Sequence, residues 1–342
     1  MKANLSSGSL YRVAIVGAAT LKGRELKEVL EEKSFPAKDI VLLDDEESLG
    51  QLENIGEEAT FIQSATRADF SDYDVVFFAS DEEFTKKHWK RAQEAGCAIV
   101  DLSFALETET GVSVTSPWLQ GTSVDLKNTS VTIAHSAATA LALLLNRSTR
   151  VSGLKGVVVN LFDPVSERGR RGMDELHQQT LNLLSFQPMP KEVFDAQVAF
   201  NIVPRYGTEA KHTVEISELR VLRHMRMIAP DAPRPALQVL QAPTFHGHTM
   251  SILLEFEKRV SIVDVNAALA GDHVTILGGG DEPPSNVNIA GEETIHVWAR
   301  EDTTREGAIW VWAAADNLRL AAIAAYEAGV AVSASRPSGK VQ

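Results

Sequence analysis

An apolar run from Tyr11 to Val16 ends abruptly on Gly17, and Leu21, Leu26, Val29 and Leu30 then recur at helical spacing. A strand that is apolar at nearly every position is buried on both faces, as happens in parallel sheets covered by helices. Strand, glycine turn and helix therefore open a parallel α/β sheet. Further strands are expected at Ile40–Leu43, Asp74–Phe78, Ala98–Leu102 and Val131–Ala134, with helices over Glu82–Ala95 and Ala137–Leu145. This alternation implies right-handed crossovers and a ligand edge at the carboxyl ends of the strands. After Leu145 the pattern changes. Strands are expected at Gly156–Phe162, Leu237–Leu240, Ser251–Phe256, Thr294–Trp298 and Ala308–Trp312, with a polar helix from Arg171 and an apolar last helix over Leu318–Gly329.

At 342 residues the chain exceeds one typical core. The expected organisation is a Rossmann-like nucleotide-binding domain over residues 8–134, completed by a C-terminal helix over 317–335. Residues 135–316 form an α+β domain with a mostly antiparallel sheet. Residues 1–7 read as a frayed polar tail. A net charge of −13 argues against a nucleic-acid partner, which requires a basic face. No apolar run is long enough to span a membrane and the start has no apolar leader, so the expected location is cytoplasmic. The single cysteine, Cys97, excludes an internal disulfide and a cysteine-based metal cluster, and no metal site is expected.

Five segments, in order, resemble the aspartate-semialdehyde dehydrogenase family: VAIVGAATLKGREL (Val13–Leu26), PVSERGRRGMDEL (Pro164–Leu176), AFNIVP (Ala199–Pro204), FHGH (Phe245–His248) and ADNLR (Ala315–Arg319). The resemblance spans nearly the whole chain. It implies a homodimer, an amino-terminal domain that holds NADP, and a central domain that supplies catalysis and most of the dimer interface. It also implies an NAD(P)-dependent oxidoreductase of aldehydes that reductively dephosphorylates aspartyl phosphate through a cysteine thioester. A thiolate is needed there because it attacks the acyl carbon and lets the adduct exchange hydride with the nicotinamide.

The family carries that cysteine in a turn at a helix start, and the matching stretch here is Ala134-His135-Ser136-Ala137-Ala138-Thr139. The nucleophile position falls on Ala137, or on Ala138 if the match is anchored at Ala134. Ser136 is the nearest hydroxyl, and its favoured reading is the helix N-cap. Cys97, in AGCAIVD, reads as a buried strand start. Losing a nucleophile costs about a million-fold in rate, roughly 8 kcal/mol of barrier. The resemblance therefore points to the Usg-type branch of the family, which lacks the cysteine.

The same resemblance places the general acid/base histidine on His248, a role suited to imidazole. A structural hydrogen bond is the competing reading. The substrate-carboxylate arginine falls on Gln241, which has no charged fork. The substrate-orienting glutamine falls on Asp163, whose charge repels an acidic substrate. The Glu and Lys of a family helix fall on Lys211 and Val214, and the phosphate-binding arginine has no match between Asp101 and Glu107. Five such changes in one site exclude aspartyl phosphate as the ligand.

In the glycine turn, Gly17-Ala18-Ala19-Thr20-Leu21-Lys22-Gly23, the outer glycines remain and Thr20 replaces the middle one. The positions expected to meet a nucleotide are Gly17, Ala18, Thr20, Leu21, Gly23, Ser48 and Asn317. Asn317 matches a nicotinamide-side asparagine, or serves as a helix N-cap. In the 2′-phosphate loop, Asp44 to Gly50, Glu47 stands at the arginine position. A carboxylate about 4 Å from a phosphate charge costs up to roughly 4 kcal/mol, so NADP is disfavoured. NAD is penalised less, because an acidic residue after the second strand can bind a ribose diol. A solvated surface turn is the competing reading of this acidic loop. Three functions follow: a non-catalytic relative that binds a ligand or partner, an active oxidoreductase of altered substrate that uses His248 without a thioester, or a structural or interaction role that includes a heterodimer with an active homologue.

Overall fold

The computed structural model describes residues 10–56, 58–121 and 130–334, so the expected polar tail and the outer ends at 8 and 335 lie outside the described residues. The chain divides into two compact units, one of residues 1–134 and 321–342 and the other of residues 135–320.

The first unit contains β1 (Tyr11–Val16), α1 (Leu21–Glu32), β2 (Ala37–Asp44), β3 (Leu52–Ile55), β4 (Glu58–Phe61), β5 (Gln63–Ser64), β6 (Val75–Phe78), α2 (Glu82–Glu94), β7 (Ala98–Asp101), β8 (Ser113–Thr115), α3 (Pro117–Gln120) and β9 (Ser130–Ile133). Seven of these strands form one all-parallel sheet in the order β5-β2-β1-β6-β7-β9-β8. The chain leaves β1 to one side for β2 and returns on the other side at β6, so the switch point lies beyond Val16 and Phe78, where such folds bind ligands. Strands β3 and β4 make a separate antiparallel pair that the apolar pattern did not signal. On one face of the sheet, Val13, Ile15, Val75, Phe77 and Val100 pack with Leu26 and Leu30 of α1.

The second unit contains α4 (Ser136–Ser148), β10 (Leu154–Asp163), α5 (Gly169–Leu184), α6 (Val214–Ile228), β11 (Ala236–Gln241), β12 (His248–Phe256), α7 (Ile262–Leu269), β13 (Val274–Ile276), β14 (Ile295–Glu301) and β15 (Ala308–Ala315). Its six-stranded sheet is mixed, in the order β11-β10-β12-β15-β14-β13, with parallel pairs only at its two ends. The buried Glu175 of the GMDEL segment accepts the N–H groups of Val193 (2.6 Å) and Phe194 (3.3 Å), which pins the segment leading into AFNIVP.

Helix α8 (Asn317–Ala334) starts in the second unit, and its residues from Ala321 onward cluster with the first. Ala322, Ala325 and Ala328 share the core of β1 and β6. Gly329 permits the close approach, because a Cβ there would stand 2.6 Å from Phe77 Cζ. Among the described residues no helix is long and apolar enough to cross a membrane.

Candidate functional site

In the second unit the end of β10, the turn after it, the start of β12 and the start of α4 converge. His248, the first residue of β12, is fully buried, and its Nε2 lies 3.0 Å from Asp163 Oδ1 and 3.7 Å from Glu167 Oε1. The other oxygen of Asp163 accepts from Arg168, at 3.3 Å. His135 Nε2 lies 3.5 Å from Glu167 Oε2, and the two imidazole rings sit 5.4 Å apart. Asn317 Nδ2 donates to Glu167 (2.8 Å) and to Ser166 Oγ (3.1 Å), while its Oδ1 accepts the N–H of Gly247 (3.0 Å). These bonds explain why residues far apart in sequence meet here: Asn317 ties the turn after β10 to the FHGH loop.

Asp163, Gln241 and His248, the three positions matched to substrate and acid/base roles, stand together. Gln241 is spent on structure. Its Nε2 donates to the carbonyls of Asp163 (2.8 Å) and Ala242 (2.9 Å), and its Oε1 accepts the Tyr206 hydroxyl. Arg168 completes the ring of contacts by donating to Tyr206 and to Ser217 of α6.

The electrostatics follow from burial and pairing. Burial alone pushes the His248 pKa down, but the hydrogen bond to Asp163 and the charges of Glu167, Asp163 and Asp316 outweigh it, so His248 titrates above its ordinary value. His135 moves the other way: burial, aided by the charge of His248, lowers it despite Glu167. The Tyr206 phenol is raised by burial and the nearby carboxylates, which keeps it neutral. Arg168 is raised as well, since Tyr206, Asp163 and Glu167 overcome the burial penalty. Asp163 and Glu167 thus face the Arg168 guanidinium and the His248 imidazole within one buried cluster.

Two sequence expectations need correction. The N-cap of α4 is His135, whose Nδ1 accepts the Ala137 N–H (3.3 Å), and Ser136 is instead the first helical residue. The N-cap of α8 is Asp316, whose Oδ1 accepts from Leu318 (2.9 Å) and Arg319 (3.0 Å), which frees the Asn317 side chain for the site. Of the pair Lys211 and Val214, only Val214 lies on a helix, as the first residue of α6, and it is buried. Ala137 and Ala138 are fully buried near the amino end of α4. Cys97 is 1% exposed just before β7, at the amino end of the parallel sheet, with Sγ bonded to the carbonyls of Phe70 (3.1 Å) and Tyr73 (3.3 Å). That is the edge opposite the ligand edge.

His135, Glu167, Arg168 and Tyr206 were not singled out from sequence. The available signal was the charged pair Glu167-Arg168 directly after an apolar strand ending in Asp163.

His135, Glu167 and His248 each offer one ligand atom within 4.8 Å of the others, a donor set of the type zinc accepts. The Ala137 N–H occupies His135 Nδ1, so the neutral ring carries its proton on Nε2 and has no lone pair left there for a metal. With Arg168 adding a positive charge beside Asp163, the cluster is a hydrogen-bonded ion network.

In the first unit the glycine turn lies at the switch point. Gly17 has φ +89°, and a Cβ there would meet Ser80 N at 2.4 Å; a Cβ on Gly23 would meet Gly17 O at 2.0 Å. Both outer glycines are thus required by backbone packing. Thr20 caps α1: its Oγ1 accepts the Gly23 N–H (3.0 Å) and lies 2.9 Å from the carbonyls of both Gly17 and Ala79. Ala18 is buried and donates to Leu43 O, and Leu21 begins α1. Ser48 donates its N–H to Asp45 Oδ1 (3.0 Å), while Glu47 is exposed. Asp44, at the end of β2, is 5% exposed, and its Oδ2 accepts the Ala19 N–H at 2.7 Å.

Comparison with known proteins agrees with this arrangement. Residues 12–129 match the family description "Semialdehyde dehydrogenase, NAD binding domain", and residues 148–320 match "Semialdehyde dehydrogenase, dimerisation domain". A USG-1 protein homolog of Pseudomonas aeruginosa is 30% identical over 319 residues, covering 86% of this chain and 94% of that protein. An aspartate-semialdehyde dehydrogenase of Rickettsia bellii is 28% identical, covering 87% and 90%. Among solved structures, a probable aspartate-semialdehyde dehydrogenase from Pseudomonas aeruginosa superimposes with a TM-score of 0.83 at 28% identity, covering 94% of this chain and 97% of that one. The sheet order, the two matched domains and these similarities along most of the chain make it a member of the semialdehyde dehydrogenase family.

Proposed function

We propose that this chain is a family member that does not run phosphorylating aldehyde oxidation, and that its central site is held closed by its own side chains. The observation that carries this reading is the pairing of Asp163 with both His248 and Arg168. The histidine matched to acid/base work is spent on an internal carboxylate, in a network with no thiol. Ala137 and Ala138 stand where the nucleophile is expected, and Cys97 is buried at the wrong edge of its sheet. Gln241 has its amide committed to Asp163, Ala242 and Tyr206 and is not available to a substrate carboxylate.

The test is phosphate-dependent oxidation of aspartate semialdehyde with NAD or NADP, followed by absorbance of the reduced nicotinamide. Intact-protein mass spectrometry is run in parallel. No turnover and no acyl adduct are expected; a covalent adduct on this polypeptide sinks the proposal.

A second reading is favoured by one atom. His248 Nδ1 is buried without a hydrogen-bond partner among the described residues, while Nε2 is fixed by Asp163. This is the arrangement of a base oriented by a carboxylate, and it supports hydride transfer to an altered carbonyl substrate. Reduction of any member of an aldehyde panel, abolished in His248→Asn, would select it.

The second unit also supports a homodimer. Leu184, Phe186, Phe200, Ile202 and Leu219 expose large apolar side chains, Phe186 to 96%. Light scattering is expected to give twice the chain mass of 37.2 kDa. Co-expression with an active homologue tests the mixed dimer, and recovery of homodimers alone counts against it.

A further inference from the structure

The nucleotide loop of the first unit holds a feature that the exposed Glu47 does not account for. We propose that Asp44 makes this unit selective for NAD over NADP, by presenting its carboxylate to the adenosine ribose diol at the carboxyl end of β2. The inference rests on the match of this unit to the NAD binding domain, and it is independent of whether the chain oxidises an aldehyde.

Asp44 ends β2, the strand beside β1, about twenty residues beyond Gly23, where an acidic side chain in this architecture meets the ribose of the adenosine half. Its orientation is fixed from two sides. Oδ2 accepts the Ala19 N–H of the glycine turn at 2.7 Å, and Oδ1 accepts the Asp45 N–H at 2.9 Å. A carboxylate has about four lone-pair sites. The two backbone donors take one on each oxygen, which leaves one on each oxygen for the two hydroxyls of a ribose. Both donors are neutral backbone amides, so a pair of O–H donors adds to the site without displacing a cation.

A 2′-phosphate changes the balance. It replaces one hydroxyl donor with up to two negative charges next to Asp44 and Asp45. The loop is shaped against compensation: Asp45 Oδ1 accepts the N–H groups of Glu47 (3.1 Å) and Ser48 (3.0 Å), curling residues 45–48 into a turn. The neighbouring cations have other partners. Arg67 pairs with Glu46, Arg24 and Lys27 pair with Glu53, and Lys22 Nζ donates to the Leu102 carbonyl at 3.0 Å. Thr20, the substitution that most departs from a glycine-rich turn, faces inward as the α1 cap, with its hydroxyl on the carbonyls of Gly17 and Ala79 and not on Asp44.

The test is calorimetry of the full chain with NAD, NADP, adenosine 5′-monophosphate and adenosine 2′,5′-bisphosphate, the last two isolating the adenosine half. NAD is expected to bind on the order of 100-fold more tightly than NADP at low ionic strength, with the monophosphate preferred over the bisphosphate in the same sense. Asp44→Asn keeps one acceptor oxygen and removes the charge. NAD affinity is expected to fall about 10-fold and the NAD-to-NADP ratio to collapse toward unity. Asp44→Ala, checked for an unchanged circular dichroism spectrum, is expected to do the same. Equal binding of both dinucleotides by the unaltered chain overturns the proposal, as does an unchanged ratio in Asp44→Asn. A ratio lost in Glu47→Gln but kept in Asp44→Asn overturns it too. Absence of binding by either dinucleotide also overturns it, yet leaves the lack of thioester chemistry standing, since that reading fails only on an acyl adduct or turnover.

Discussion

Replacing Asp163 by leucine measures how far the second unit depends on its buried ion network. The carboxylate is 3% exposed and lies 3.3 Å from the Arg168 guanidinium and 3.0 Å from His248 Nε2. Without it, Arg168 keeps Ser217 and Tyr206 as neutral hydrogen-bond partners, with Glu167 as the remaining negative charge. Stranding one member of a buried pair costs about 3–5 kcal/mol, so Asp163→Leu is expected to destabilise the unit by that much. Arg168→Met strands the carboxylate instead and is expected to cost a similar amount. The double variant strands neither, and its cost is expected to fall short of the summed single costs by at least about 2 kcal/mol. Urea unfolding reads this out. Trp298, Trp310 and Trp312 lie in the second unit and Trp89 and Trp118 in the first, so a Trp89→Phe, Trp118→Phe background confines the fluorescence to the unit in question. Single costs that add within about 0.5 kcal/mol in the double variant would show that Asp163 and Arg168 act independently, and the charge-balance account would fail.

Stability is expected to depend on pH through two opposed histidines. His135, lowered by burial, favours folding above its unfolded pKa of about 6.5 and loses that contribution as pH falls below it. His248, raised overall, contributes fully below about pH 6.5 and loses its contribution as pH rises through its folded value. Melting temperature against pH should show both limbs, with His135→Asn flattening the acid one and His248→Asn the alkaline one; unaltered limbs would refute the assignment. Ala137→Cys alone is expected to restore no phosphate-dependent oxidation, because the new thiol enters a buried helix start whose surrounding groups are already paired; turnover would contradict this. Gly329→Ala is expected to cost about 1–3 kcal/mol in chemical denaturation, since its Cβ would stand 2.6 Å from Phe77 Cζ; a neutral result would show that the ring gives way.

In the parallel sheet of the first unit β1, β2, β6, β7 and β9 were legible from their short apolar runs, whereas the short outer strands β5 (Gln63–Ser64) and β8 (Ser113–Thr115) carry no such run and were not. Tyr11–Val16 matches β1 residue for residue, and the helix expected from Glu82 starts at that residue. The β3–β4 pair was not legible, because LENI and EATF lack a sustained alternation and lie half exposed at the edge of a long connection. In the site, the residues matched to known roles, Asp163, Gln241 and His248, converge, because matching order along the chain preserves the fold that brings them together. Their new partners were hidden. Whether His135 faces solvent or Glu167 depends on how the start of α4 packs against the turn after β10, and no local pattern carries that information. Both capping errors have one cause: Ser136 and Asn317 each follow a residue, His135 and Asp316, whose side chain also accepts N–H bonds, and sequence alone does not rank adjacent candidates.

In the second unit the buried charged groups are paired with one another, and the His248 Nδ1 atom is left without a partner among the described residues. Opening a space beside His248 requires separating it from Asp163 or Glu167, or separating Asp163 from Arg168, and each separation leaves a buried charge to be satisfied. An incoming ligand would have to supply matching charges at those places. An acidic aldehyde would instead meet two carboxylates, with the only guanidinium of the network already engaged. The first unit differs, because Asp44 rests on two backbone amides and retains acceptor capacity. If both proposals hold, the expected outcome is a chain that binds NAD without turning over an aldehyde.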